Sequence, residues 1–312
     1  MVAFSLYAME PSSHIWSDGE FVSWDDATVH FLSHAMQYGT GVFEGIRAYN
    51  TPEGTAVFRL HEHMVRLVAS ARAYDIPMKY TADELSEACL ELLRVTELES
   101  AYIRPQVFYG LGAIGISPSN TPVHTMMGAF SFGSYLGEEG VLKGITAMVS
   151  SWRRISHTSL IPTAKGSGGY LNSVLAKQEA LRAGADEAIM LNDAGTLSEG
   201  SGMNLFLVSK GVAYTPPVSS GILEGITRNS VIELLKAEGV EVKEVELARG
   251  ALYIADEVFI TGTAAEVTPI REIDGRTVGL GEPGPVTRKA QDLFAAAVAG
   301  KLDEYKHWLE FV

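Results

Sequence analysis

Lys165 is isolated in charge. From Ile155 to Ala176 it is the only formally charged residue. It sits in Thr163-Ala164-Lys165-Gly166-Ser167-Gly168-Gly169, among small uncharged neighbours. Small neighbours let a bulky group reach the amine, and a charge-poor setting favours the neutral amine, the form that attacks a carbonyl. A second reading stays open on these residues alone: a lysine in a glycine-rich loop that binds a phosphate. A P-loop is excluded, because no Gly-Lys-Ser/Thr occurs at the required spacing.

Four further segments carry chemistry-bearing residues. Ser198-Glu199-Gly200-Ser201-Gly202-Met203-Asn204 precedes an apolar strand. Glu199 there reads either as a carboxylate for a cationic ring nitrogen or as a solvated turn glutamate. Gly225-Ile226-Thr227 opens a helix, where free N–H groups and the dipole suit a phosphate; a plain Thr N-cap explains it equally well. Thr261-Gly262-Thr263-Ala264-Ala265 follows a strand and offers turn N–H groups and hydroxyls to an anion. In Tyr102-Ile103-Arg104-Pro105 the phenol and the guanidinium are two residues apart, so a strand turns them to one face, where they suit a carboxylate. The competing reading is an exposed edge strand, favoured by Pro105.

The elements that must position these residues mix helix and strand. Trp16–Trp24 reads as a hairpin around Asp18-Gly19, and Thr55–Leu60 as a strand. His61–Tyr74 is helical, with Met64, Leu67, Val68 and Ala71 on one face. Ala82–Leu98 is a helix N-capped by Thr81, and its stripe contains Cys89, which reads as a core residue. Ala101–Gly110 and Met126–Phe132 are strands. Residues 131–144, with four glycines, read as an interdomain linker. Beyond it, strands are expected at Ile145–Ser151, Glu187–Leu191, Leu205–Val208, Val212–Thr215, Val240–Leu247 and Glu257–Thr261. Helices are expected at Gly169–Ala183, Thr227–Glu238 and Pro285–Ala299. The order is not a strict βαβ alternation, so the fold class is α+β. The expected domains are 1–130 and 145–312.

The chain has 312 residues, a length suited to two domains. Its formal charge is −14, from 24 Lys+Arg against 38 Asp+Glu, which argues against nucleic acid or an anionic membrane as partner. Cys89 is the single cysteine, so no internal disulfide can form. Met1–Glu10 lacks the features of a secretory signal and no apolar run is long enough to span a membrane, so a cytoplasmic location is expected. No metal site is expected.

Taken in order, the segments resemble the fold-type IV pyridoxal 5'-phosphate (PLP) enzymes, and most closely the branched-chain amino-acid aminotransferases. The match runs from about Trp16 to the C-terminus. It is carried by Tyr38-Gly39 to Phe43-Glu44-Gly45-Ile46-Arg47, His63-Met64-Val65-Arg66-Leu67, Tyr102-Ile103-Arg104-Pro105, Pro162-Thr163-Ala164-Lys165, Leu197-Ser198-Glu199-Gly200, Gly225-Ile226-Thr227-Arg228 and Gly262-Thr263-Ala264-Ala265-Glu266. The resemblance implies a small N-terminal α+β domain and a larger domain built on a β-barrel-like sheet with helices, in an assembly that is a homodimer at minimum or a hexamer.

It also implies roles. Lys165 would hold PLP covalently and later move the proton from the substrate Cα. Glu199 would keep the pyridine nitrogen protonated, and Tyr170 would bind the cofactor's phenolic oxygen. Arg66, the Ile226 and Thr227 backbone, and Thr263 would bind the phosphate; periodicity alone would make Arg66 a solvated helix arginine. Phe43, Phe132, Tyr135 and Tyr170 would wall the substrate pocket, with Tyr38, Ile114 and Ile116 reaching it from a second subunit. Tyr102, Thr263 and Ala264 would hold the α-carboxylate, and Arg104 the distal carboxylate of glutamate. Three positions depart from the family pattern: Gly169, Met203 and Phe132 stand where many relatives have asparagine, glutamate and tryptophan. None touches the cofactor anchors; Phe132 and Gly169, at the pocket and the lysine loop, bear on substrate range. The expected reaction moves an amino group between branched-chain L-amino acids and 2-oxoglutarate. Its rivals are a D-amino-acid or (R)-amine transaminase, an aminodeoxychorismate-type lyase, and a phosphate-binding module without chemistry.

Overall fold

A computed structural model describes residues 10–112, 114–133 and 136–312. Tyr135, expected on the pocket wall, lies outside the described residues. Contacts divide the chain into two compact units, Met1–Tyr135 with Asp303–Val312, and Leu136–Leu302.

In the first unit, β1 (His14–Ser17) and β2 (Glu20–Ser23) form the expected hairpin. Asp18 and Gly19 both take positive φ, 48° and 102°, as a two-residue turn matched to strand twist requires. There follow α1 (His34–Tyr38), β3 (Gly41–Phe43), β4 (Ile46–Thr51), β5 (Gly54–Phe58), α2 (Leu60–Ala73), α3 (Ala82–Thr96), β6 (Ala101–Tyr109) and β7 (Val123–Phe130). The sheet runs β5-β4-β6-β7-β1-β2, with β3 paired to β6 and Leu309–Phe311 added beside β5. Thr81 and Glu84 form a reciprocal capping box at the start of α3. Leu60, Met64, Leu67 and Ala71 of α2 join Leu85, Cys89 and Leu92 of α3 in one core with Val42, Ile46, Ile103, Val107 and Met127. Each such leucine, fully buried, contributes about 1.5–3 kcal/mol.

Strand alternation then decides the other face. Ile103 and Val107 point into that core, so Tyr102 and Arg104 point away from it. β6 is not an edge strand. It is flanked by β7 on one side and by β3 and β4 on the other. Pro105 is tolerated because the second neighbour is interrupted opposite it. β3 pairs with β6 as far as Phe43↔Gln106, and β4 resumes at Ile46↔Ile103. Glu44 and Gly45 occupy the gap, where a proline without an N–H costs no ladder bond.

The second unit opens with α4 (Gly137–Lys143), a short helix in the segment read as a linker, then β8 (Ile145–Val149), α5 (Tyr170–Arg182) and β9 (Glu187–Leu191). Next come β10 (Leu197–Gly200), β11 (Asn204–Ser209), β12 (Val212–Thr215), α6 (Ile226–Ala237) and β13 (Val242–Glu244). The unit closes with β14 (Glu257–Gly262), β15 (Glu266–Ile273), β16 (Arg276–Thr277) and α7 (Pro285–Val298). The sheet order is β10-β9-β8-β15-β14-β11-β12-β13, a mixture of parallel and antiparallel pairs. A bridge between Thr196 and Ala248, with Leu197 N–H donating to Leu247 O at 2.8 Å, brings the chain beyond β13 against the start of β10. That contact between its two ends is the barrel-like curl.

Two expectations change here. Val240–Leu247 is a strand only at Val242–Glu244. Glu199, read as a turn residue, lies within β10 with 5% of its surface exposed. Ile189, Leu197, Leu205, Leu207, Val258 and Ile260 share the sheet's core.

Candidate active site

Lys165 and Tyr170 meet. Lys165 Nζ donates to Tyr170 Oη at 2.9 Å. The lysine lies on the long connection after β8, just before a 3-10 turn at Ser167–Gly169, and Tyr170 is the first residue of α5. The turn's glycines let the chain pass directly from the lysine into the helix, so the amine and phenol are five residues apart in sequence.

Glu199 sits in a built socket. Its Oε1 accepts from Arg154 Nε at 2.7 Å. Its Oε2 accepts from Asn204 Nδ2 and from the Leu223 N–H, each at 3.1 Å. Burial pushes the carboxyl above its ordinary pKa, opposed by Arg154, the Leu223 N–H and the charge of Lys165.

Asn204 links this carboxylate to the start of α6. Its amide also donates to Leu223 O at 2.8 Å. Gly225, the N-cap of α6, packs so closely on Asn204 that a Cβ there would overlap Oδ1. The N-cap of α6 is a glycine, so among the described residues no side-chain cap occupies its first N–H groups, including those of Ile226 and Thr227, and they suit an anion. Thr227 is inside the helix, not its N-cap. Asn204 pairs with Thr261 across β11 and β14, and the three-residue hairpin Thr263–Ala265 lies directly beyond. Thr263 and Ala264 are half-buried at its tip.

This set fits PLP. A buried carboxylate suits a ring nitrogen, an uncapped helix start suits a phosphate, and a lysine amine suits the carbonyl. Ser167, Ser198, Ser220 and Thr261 keep buried hydroxyls with no hydrogen-bond partner among the described residues, which a polar ligand would satisfy.

In the first unit Arg66 is not a solvated helix arginine. Its Nε donates to Glu44 Oε1 at 2.6 Å and its Nη2 to Oε2 at 2.8 Å, with Glu44 fully buried. His63 Nδ1 lies 2.8 Å from Oε2. Burial alone would raise the Glu44 pKa; the charge and hydrogen bonds of Arg66 and His63 overcome it and hold the carboxyl far below its usual range.

Tyr102 and Arg104 share a face as expected. Arg104 Nη2 donates to Tyr102 Oη at 3.2 Å, and its guanidinium stacks 4.6 Å from the Phe43 ring centre. Phe132 packs on Tyr102 with ring centres 4.8 Å apart. The Tyr102 hydroxyl rests on Gly45, where any Cβ would collide with it. The Glu44-Gly45 gap thus serves two neighbours, Arg66 through the carboxylate and Tyr102 through the missing side chain.

Tyr38 packs on His34 at 4.6 Å, and His34 Nε2 lies 2.9 Å from Gly115 O. Ile114 and Ile116, on either side of that anchor, are 79% and 86% exposed. The sequence by itself assigns no role to Glu44, His63 or Arg154. Glu44 and His63 fall inside matching motifs, which is a signal; Arg154, in a plain Arg153-Arg154 pair, offers none.

The family model for amino-transferase class IV matches residues 41–273. The branched-chain-amino-acid aminotransferase of Pseudomonas aeruginosa is 49% identical over 298 residues, covering 96% of this chain and 97% of that protein. The crystal structure of the Escherichia coli branched-chain amino acid aminotransferase superposes with a TM-score of 0.94 at 47% identity, covering 96% of this chain and 99% of that one. The branched-chain amino acid aminotransferase from Thermobaculum terrenum, solved in its PLP form, gives a TM-score of 0.91 at 36% identity, covering 96% of this chain and 98% of that one. With this similarity extending over nearly all of its length, the chain belongs to the class IV aminotransferases.

Proposed function

We propose that this protein transfers the amino group of branched-chain L-amino acids to 2-oxoglutarate, using PLP held on Lys165. The observation that carries the reading is the Lys165–Tyr170 pair at 2.9 Å, in the same unit as the buried Glu199 carboxylate. Bound PLP supplies an electrophilic carbonyl and a ring that delocalises the electron pair left at the substrate Cα. Lys165 Nζ would carry the proton between the substrate Cα and the cofactor carbon that bears the carbonyl, with Tyr170 Oη orienting the amine. Glu199 would accept the ring N–H and so keep that nitrogen charged. The Ile226 and Thr227 N–H groups and the Thr263 hydroxyl would hold the phosphate, and the family resemblance implies the same for Arg66.

By the family resemblance, Tyr102, Thr263 and Ala264 would hold the substrate α-carboxylate, while Phe43 and Phe132 would line the side-chain pocket. Arg104 receives the distal carboxylate of glutamate. Tyr38, Ile114 and Ile116 complete the pocket of a second copy of the chain, which makes the working unit at least a homodimer; exposed isoleucines on an anchored loop support this. The test is a half-reaction scan, mixing the PLP form with single amino acids and amines and following its visible band. Loss of the band with leucine, isoleucine, valine and glutamate is the expected result. Response to D-amino acids or (R)-amines alone would overturn the substrate assignment.

A further inference from the structure

Arg154 is held as firmly as the groups assigned to the chemistry. Its backbone N–H donates to Leu191 O at 2.8 Å, tying it to the end of β9. On either side, Asn172 of α5 clamps the chain: Asn172 Nδ2 donates to Arg153 O at 2.9 Å, and Asn172 Oδ1 accepts from the Ile155 N–H at 3.1 Å. Strand β9 and helix α5 therefore set the backbone from which the guanidinium reaches Glu199, and the same helix begins with Tyr170. The side chains of Arg154 and Glu199 are 12% and 7% exposed, so water screens their contact little.

The acceptor count on Glu199 is informative. An ionised carboxylate has about four lone-pair sites, two on each oxygen. Asn204 and Leu223 fill both sites on Oε2, whereas Arg154 fills one on Oε1. Among the described residues one acceptor direction remains, on Oε1, beside the arginine. A protonated Glu199 would keep some acceptor capacity but lose the negative charge that stabilises a protonated ring nitrogen.

We infer that Arg154 is a positioning residue for Glu199, keeping its carboxyl ionised and turning Oε1 towards the cofactor's ring nitrogen. This rests on the reading of Glu199 as the partner of that nitrogen. Burial works against ionisation here, and Arg154 is the cation in direct hydrogen-bond contact; Lys165 acts only through its charge. Without Arg154 the carboxyl takes up a proton, Oε1 loses its orientation, and the ring nitrogen loses a charged partner.

The test begins with cofactor-free protein, where infrared spectra distinguish a protonated carboxyl from a carboxylate. Arg154→Met should show a carboxylic-acid band at neutral pH that is absent in wild type and absent again in Arg154→Met/Glu199→Gln. Arg154→Lys should suppress the band, because it restores the charge. Arg154→Gln keeps an N–H donor without the charge and should show it, which serves the test if the methionine variant fails to fold. In the PLP-loaded enzyme, the pH dependence of the visible band of Arg154→Met should move to that of Glu199→Gln. Turnover should fall about tenfold or more, the scale on which groups that orient a ligating residue act. Absence of the acid band in folded Arg154→Met and Arg154→Gln would overturn the inference. If the band appears but Glu199→Gln leaves the visible spectrum of the loaded enzyme unchanged, the reading of Glu199 falls instead.

Discussion

Arg66 grips Glu44 with two parallel hydrogen bonds, Nε to Oε1 and Nη2 to Oε2, at 2.6 and 2.8 Å. The fork fixes the plane of the guanidinium. Glu44 is buried, so removing its charge takes away the carboxylate that Arg66 and His63 share. Glu44→Gln should lower the unfolding free energy by roughly 3 kcal/mol, the scale for breaking a buried pair from one side, and weaken PLP binding. Urea unfolding and equilibrium dialysis with PLP would measure the two effects. The pH dependence has a definite sign. The folded-state pKa of Glu44 lies below its ordinary value of 4.5, so its stabilisation is complete above that pH and is lost as pH falls. Wild type should therefore lose stability on acidification more steeply than Glu44→Gln.

Purified protein supplied with PLP should be yellow. Borohydride reduction followed by peptide mapping should place the adduct on Lys165, and Lys165→Ala should abolish both adduct and turnover. An adduct on another lysine contradicts the assignment.

Glu199→Gln keeps the shape of the socket but removes the charge that stabilises a protonated ring. PLP should stay bound, because the phosphate anchors are intact. Turnover should drop by orders of magnitude, each tenfold corresponding to about 1.4 kcal/mol. Steady-state rates at saturating substrate, with cofactor content measured on the same sample, decide the point.

Arg104→Ala should separate the two half-reactions. A buried glutamate carboxylate without a partner is expensive, so the glutamate and 2-oxoglutarate half-reaction should weaken by roughly 2–4 kcal/mol. Leucine brings no second carboxylate, and with it bound the guanidinium keeps Tyr102 and Phe43 as partners. Stopped-flow rates for each half-reaction would show the asymmetry; an equal loss in both would assign Arg104 to the α-carboxylate or to structure.

Ile116→Asp places a charge on a side chain that is 86% exposed in the single chain. If that loop covers the pocket of a second copy, the variant should sediment as a smaller species and lose activity towards leucine, with folding unchanged by circular dichroism. A variant that stays fully assembled and fully active would rule out the loop's contribution.

The α+β class, the long helices and most strands were legible from the sequence because each is written in local periodicity. The Met64/Leu67 stripe, the Thr81 cap and the Asp18-Gly19 turn are short-range signals. Lys165 was conspicuous for a local reason too, the lack of charged neighbours. What stayed hidden was long-range pairing. β15 contains Pro269 and carries no local strand signal, yet it pairs with β14 and β8. Pro105 suggested an edge strand, and only the gap at Glu44-Gly45 explains its place inside a sheet. Arg66 lies off the apolar stripe of its helix, so periodicity exposed it to solvent; a carboxylate 22 positions earlier buries it. Arg154 and Glu199 are 45 residues apart, and nothing in either neighbourhood announces the other. Residue type and spacing determine which side chains can do chemistry. Their ionisation and orientation depend on partners brought up by the sheet, because desolvation and hydrogen bonding act through space rather than along the chain.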